Sequence, residues 1–311
     1  MPLLDVAVAG ELNLDLILYG LPEALPPERE LLADNLMLTL GASSAIVAHN
    51  LAALGTRVGF VSCIGEDQLG QIALDRLSSG GVDVRAVRKL AATQTGLSVI
   101  LQRPEWRTIL TYPGTIFDLK LEHIDLGYLA SARHFHLSSF YLQRGLRPSV
   151  PQLFRELKER GLTISLDPND DPEDAWADDL LQALPYVDVF LPNAREVCKI
   201  SGQSTIQKAV SALSCRVPIL VVKLGAEGAL ARRGEEEFRQ AAVPVQPIDA
   251  VGAGDSFDAG FLHQFLRGAA LPDCLAFANR TGALSTTRPG GTEAFRDRAY
   301  CERFLRQGPT E

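Results

Sequence analysis

A carboxylate set among glycines is the feature of this sequence richest in chemistry. In DAVGAGDSFDAG, residues 249–260, Gly252, Ala253 and Gly254 lead into Asp255. The following SFDAGFLHQFLRG places Phe257, Phe261, Leu262, Phe265 and Leu266 at helical spacing, with Gly268 as a stop. The pattern predicts a tight loop opening into a helix N-terminus. Such a junction offers unpaired N–H groups and the positive end of the helix dipole, which suit an anion such as a phosphoryl group. The glycines leave the backbone bare for close approach. A carboxylate beside that anion would repel it, unless Asp255 has the task of accepting a proton from a hydroxyl that attacks phosphorus. The competing reading, an N-capping Asp before an ordinary buried helix, is disfavoured by glycines on both sides. A Walker A loop is excluded because no lysine follows, and the spacing does not fit a dinucleotide-binding fingerprint.

Other candidates lie after strand-like runs. LDVAVA (residues 4–9) reads as a buried parallel strand ending at Gly10, and Asn13 and Asp15 follow it. Ligands of open α/β sheets bind beyond the carboxyl ends of strands, where Asn and Asp would supply a donor and acceptors to hydroxyls; turn formation is the alternative. Asn193 and Glu196, at the end of VDVFLPN and the start of a helix, would orient metal-bound waters, or form a capping box, or both. Lys223, Gly225 and Gly228 fall in a strand–turn–strand, where a plain β-turn is the competing reading. His134 and His136 share one face of a strand without a ligand partner at metal-binding spacing, and are expected to be structural.

GAGDSFDAGF resembles the C-terminal signature of the ribokinase-like (PfkB-type) carbohydrate kinases, close to D-T-x-G-A-G-D-x-F. The resemblance implies that Asp255 is the catalytic base and that the backbone of Gly252, Ala253, Gly254 and Asp255 forms an anion hole. It also implies that Asn13 and Asp15, in a G-x-x-N-x-D segment, grip the sugar together with the Gly41 turn and Ser43. GASSAIVAHNLAALG aligns with the N-terminal signature G-G-x-x-x-N-x-A-x-x-x-A-x-L-G, but has Ala42 for the second glycine and Ile46 for the asparagine. Ile46 removes a polar contact to the acceptor, and Asn50 lies one turn further along the helix. By the same resemblance Asn193 and Glu196 organise Mg2+ and phosphate, Lys223, Gly225 and Gly228 bind nucleotide, Asn279 lies near the adenine, and Asp249 and Val251 join residues 286–291 in a monovalent-cation (K+) site. Gly65, Asp67 and Gly70 are given a structural role. Asp167 and Asn169 match a D-x-N motif, and the following Asp170 and Asp171 disfavour an acceptor carrying its own phosphate.

The elements needed to position these residues alternate between strand and helix over most of the chain, predicting one doubly wound α/β domain over 1–311, its mostly parallel sheet flanked by helices. Residues 43–54 read as a helix capped by Ser43 or Ser44 and closed by Gly55, and 148–160 as another. Residues 95–102 and 107–112 are strand-like with no helix between them. A small β lid is therefore expected from about 12–18, 36–40 and 92–117, with Trp106 and Arg107 on an exposed hairpin. Lid edges invite pairing into a homodimer.

Bulk properties narrow the partners. Thirty basic against 38 acidic residues give a net charge of −8 without a basic run, which argues against nucleic acid or an acidic membrane surface. Five scattered cysteines without C-x-x-C argue against a disulfide framework or a zinc site. No basic n-region or membrane-length apolar run is present, so a cytoplasmic protein is expected. The combined expectation is an ATP- and Mg2+-dependent kinase acting on a hydroxymethyl group of a small carbohydrate. The alternatives are a nucleoside or vitamin kinase of the same fold, or a non-catalytic sugar or nucleotide sensor.

Overall fold

The apolar run VAVA forms β1 (Val6–Ala9), buried along its whole length, and a strand so placed needs neighbours and cover on both faces. The structure, a computed structural model, describes residues 3–103, 107–176 and 178–308. In chain order the further strands are β2 (Leu14–Tyr19), β3 (Asn35–Leu40), β4 (Val58–Gly65), β5 (Asp83–Leu90), β6 (Leu97–Gln102), β7 (Arg107–Tyr112), β8 (His134–Leu137), β9 (Thr163–Leu166), β10 (Val189–Phe190), β11 (Ile219–Lys223), β12 (Ala229–Arg233) and β13 (Glu236–Gln240). Nine of them make one sheet in the order β13-β12-β11-β10-β9-β8-β1-β4-β5, parallel except for the antiparallel pairs made by β12 and β13.

Alternation along β1 divides the interior. Ala7 and Ala9 face a core with Phe135, Phe154 and Leu220, beneath the helices Val150–Glu159, Ala194–Ser201 and Ile206–Leu213. Val6 and Val8 face the other core, with Phe60, Phe257, Phe261 and Leu275, beneath the helices Ser43–Ala53, Gln68–Ser79, Ala253–Phe265 and Leu271–Thr286. From β1 the strand order runs one way through β4 and β5 and the other way through β8 to β11, so a topological switch point falls between β1 and β8. Ligand crevices of doubly wound sheets form beyond the strand ends at such a point, and Gly10–Asp15 issue from β1 there.

The remaining strands form the expected small sheet, in the order β3-β2-β6-β7. Its outer strand β7 is almost wholly exposed, whereas Thr39 and Leu40 at the root of β3 are buried. On its inner face Ile17 and Ile100 pack on Val251, beside the glycine turn. Thr39 donates to Glu293 at 2.9 Å, and Glu293 also pairs with Arg76, so the root is tied to the body. Trp106 lies outside the described residues.

One local expectation is corrected. The helix Ser43–Ala53 is not capped by Ser43 or Ser44: its N-cap is Ala42, which makes no side-chain cap bond. Both serine hydroxyls are drawn to buried acids instead, Ser43 to Asp255 and Ser44 to Glu11 at 2.9 Å. Asp255 is not an N-cap either, since Gly252 takes that position and Asp255 lies in the first turn. The edge strands β5 and β13, rich in charged residues, had no strand signal because only part of each is covered. His134 and His136 are structural as expected: buried, bonded to Thr163, Ser165 and Ser138, and pushed down to about 3 and about 4 by burial.

Candidate active site

Two glycines fix the geometry. At Gly41 an added Cβ would lie 2.2 Å from Asp15 Oδ1 and 3.0 Å from Asn13 Nδ2, so only a bare backbone lets both side chains lie against this turn. At Gly252 φ is +70°, and an added Cβ would lie 2.5 Å from the Gly291 Cα; the turn needs glycine for its conformation and for its packing. The neighbour Ala42 has φ 66°. With ψ 125° it lies outside the left-handed helical well, in a region that costs a non-glycine residue about 1–3 kcal/mol, and this is the position where the resembling signature has glycine.

These turns bring together residues far apart in sequence. Ser43, in the first turn of its helix, donates to Asp255. Asp255 is partly exposed, and burial pushes its carboxyl up to about 6, opposed by the Ser43 hydrogen bond and assisted by the charge of Asp167. Asp15 is pushed up to about 7, first by burial and then by the charge of Asp255; Arg107, on the exposed strand β7, pulls the other way. Above Asp255, Ala253 N–H makes only a long bond to Ala250 O at 3.3 Å, and among the described residues the N–H groups of Gly252, Gly254 and Asp255 have no acceptor. Gly254 is exposed. A partly exposed carboxylate and outward-facing N–H groups at a helix start thus share one small space with Asn13 and Asp15.

Other expected residues fall nearby with different duties. Ile46 packs against Gly291 and Gly252, where an added Cβ would lie 2.7 and 3.3 Å from its Cδ1; it walls the glycine turns with hydrocarbon. Asn50 does not stand in for the missing asparagine: fully buried, it donates to Ser256 Oγ and Gly291 O, both at 3.0 Å. Asn193 and Glu196 form the complete reciprocal capping box, and burial followed by the charge of Asp167 pushes Glu196 up to about 8. Gly228 abuts β13, where a Cβ would meet Gln240 O at 2.0 Å, and Gly225 is exposed. Both Asn279 Nδ2 hydrogens go to Gln240 O and Ala241 O at 2.9 Å. The Asp249 carboxylate accepts from Val251 N at 2.9 Å, Gly290 N at 3.0 Å and Tyr19 Oη at 3.3 Å, joining the two loops expected to meet there. Gly65, Asp67 and Gly70 are structural in this sense, since Asp67 caps its helix through Gly70 N and holds Thr95 N.

The acids Asp170 and Asp171 do not face an acceptor with free charge. Asp170 pairs with Arg195, and Asp171 accepts the N–H groups of Glu173, Ala175 and Trp176. With their charge engaged in this way, they carry no weight against an acceptor that has its own phosphate.

Two acids went unremarked in the sequence. Glu11 is buried and accepts from Ser44, Ser139 and Gln143. Asp258 is buried and bonds Lys223, whose Nζ lies 3.0 Å from Asp258 Oδ2 and 2.7 Å from Asp167 Oδ2. Asp258 stands three residues after Asp255, on nearly the same helix face; an acid repeated there was the available signal. Among the described residues no group of three or more His, Cys, Asp or Glu is placed to cage a metal, and no helix is long and apolar enough to cross a membrane.

A model of the pfkB family carbohydrate kinases matches residues 3–298. The chain is 31% identical to an ATP-dependent ribose-1-phosphate kinase of Halopiger xanaduensis, over 93% of this chain and 94% of the relative. It is 32% identical to a fructokinase of Klebsiella pneumoniae, over 82% and 88%. Among solved structures, an Escherichia coli protein assigned as a ribokinase II, in complex with ATP and Mg2+, matches with a TM-score of 0.86 at 26% identity, over 98% of this chain and 100% of that one. The chain has the ribokinase fold and belongs to the pfkB family of carbohydrate kinases, phosphotransferases that act on an alcohol group.

Proposed function

We propose that this chain transfers the γ-phosphoryl group of ATP to a hydroxymethyl group of a small carbohydrate, with Asp255 as the base. The observation that carries the reading is the meeting of Asp255, steadied by Ser43, with Asp15 on one side and the unpartnered N–H groups of Gly252, Gly254 and Asp255 on the other. Asn13 and Asp15 orient the acceptor by its hydroxyls. Asp255, held near a neutral titration point, takes the proton as the hydroxyl oxygen attacks. The N–H groups at the helix start meet the charge on the phosphoryl oxygens as it shifts toward the leaving group. The strand turn at Gly225 gives exposed backbone for the nucleotide.

Mg2+ fits these residues as an ion carried by the nucleotide. Bound there, it would neutralise phosphate charge while keeping most of its water. Asn193 and Glu196, already locked together, would hold that water shell. For K+, the loops at Asp249 and residues 286–291 do meet, but the Asp249 carboxylate already has three N–H or O–H partners.

The test is ADP release against a panel of pentoses, hexoses, 2-keto-3-deoxy acids, sugar phosphates and nucleosides. Acidic and phosphorylated acceptors belong in it because Arg107 lies close enough to bias Asp15. One acceptor class should drive turnover, and Asp255→Asn should lower kcat for it by about 10²- to 10⁴-fold. A panel without any acceptor-dependent ADP, or a fully active Asp255→Asn enzyme, would reject the reading.

A further inference from the structure

Lys223 sits where a phosphate ligand was expected, yet its ammonium faces inward. Its side chain is 11% exposed, and the carboxylates on either side of it, Asp167 and Asp258, are 0% exposed. Burial works against the Lys223 ammonium, but its carboxyl neighbours, Asp167 first, outweigh it and keep the proton, while burial and the charge of Asp167 push Asp258 itself well above the usual carboxylate range. Nζ also lies directly under the glycine turn, 3.7 Å from where a Cβ of Gly254 would be.

The contacts continue in both directions. Asp258 belongs to the helix whose first turn holds Asp255. Asp167 Oδ1 accepts from Asn169 N at 3.2 Å, Asn169 Nδ2 donates to Ser139 Oγ at 3.0 Å, and Ser139 Oγ donates to Glu11 at 2.7 Å. Glu11 accepts from Ser44, and the adjacent Ser43 donates to Asp255. The path therefore closes on itself, through six segments remote in sequence. Two of its members, Ser139 and Asn169, have φ of 53° and 51°, left-handed values that non-glycine residues hold only when their surroundings over-determine them, commonly near functional sites.

We propose that Lys223 is a positioning residue for phosphoryl transfer: it clamps the helix bearing Asp255 to the end of β9, rather than binding the phosphates of the nucleotide. This rests on Asp255 being the base. A small misplacement of reacting groups lowers the rate of the chemical step without abolishing binding, so the clamp acts on kcat. A phosphate ligand acts on nucleotide affinity.

The experiment compares Lys223→Met, Lys223→Arg, Asp258→Ala and the double variant Lys223→Met/Asp258→Ala, assayed below their measured melting temperatures. Lys223→Met and Asp258→Ala should each lower kcat by about 10²-fold, with the KM for ATP moved by less than about threefold. The double variant should lose little beyond either single one, because both remove the same link, and Lys223→Arg should recover part of the rate. If Lys223→Met instead raises the KM for ATP about tenfold or more while Asp258→Ala does not, Lys223 is a phosphate ligand and the proposal is overturned. It is equally overturned if both variants melt earlier but turn over at the wild-type kcat. Should Lys223→Met fail to fold because it leaves two buried acids without a cation, Asp258→Ala alone decides by the same readout. Asp255→Asn is run in parallel. Full activity there rejects the assignment of the base, whereas a slow Asp255→Asn beside wild-type kcat in the other variants rejects only the clamp.

Discussion

Every residue of β4 is buried, whereas β7 in the small sheet is exposed along nearly its whole length. The large sheet is fixed by hydrocarbon on both faces; the small one is fixed at its root, where Leu40 is buried and Thr39 reaches Glu293. The groups proposed for chemistry divide the same way. Asp255 and the glycine turn stand on a helix packed into the covered body, and Asp15 stands at the root of the small sheet, before burial falls away. A transfer enzyme needs a rigid base and anion hole but an acceptor side that admits and releases its substrate, and the two kinds of sheet supply one requirement each.

Three measurements sharpen or break this contrast. The largest effect is expected in the covered sheet. Phe135, fully buried, packs edge-on against Phe154 with ring centroids 6.0 Å apart. Phe135→Ala should lower the free energy of unfolding by about 3–5 kcal/mol in denaturant titrations, and a loss below about 1 kcal/mol would mean that this core is looser than its burial implies.

The second concerns pH. As the proposed base Asp255 would have to be ionised to act, and burial pushes its carboxyl up to about 6, so kcat/KM should fall about tenfold per pH unit below that point. The sign for stability is opposite. The folded value lies above the unfolded one, so the contribution of this group is full below about pH 4 and is lost as pH rises through about 6. Asp255→Asn should therefore melt higher than the wild type at pH 7 and equal it at pH 4. A flat rate profile, or a lower melting temperature at pH 7, would contradict the upward shift of this carboxyl.

The smallest effect belongs to the exposed sheet. Ile109 on β7 is 50% exposed, and Ile109→Ser should change unfolding by less than about 0.5 kcal/mol. A larger loss would mean that Ile109 is covered in solution to a greater degree than its exposure implies.

What the sequence revealed follows the same division. Strands covered on both faces must be apolar throughout, so β1, β4, β8 and β9 were legible; β5 and β13, at the edges with charged residues, were not. The glycine turn before Asp255 was legible because its glycines have few other uses, and the place of Asp15 because it follows a buried strand; Gly41 and Ser43 were singled out only by the resemblance. The partners of Lys223 were not. A buried cation is satisfied by whatever carboxylates the fold brings to it, and Asp167 and Asp258 lie 56 and 35 positions away. Nor did the spacing along one helix reveal that Asn50 points at Gly291 rather than at the acceptor, since that depends on where the loop before Thr292 packs.

The contact of Ile17 and Ile100 with Val251 makes the cover and the glycine turn mechanically one unit. Swinging the small sheet outward would wet these aliphatic groups, at about 1.5–3 kcal/mol for each side chain, and would part Tyr19 from Asp249. Any displacement of the small sheet would therefore be felt at the backbone that leads into Gly252.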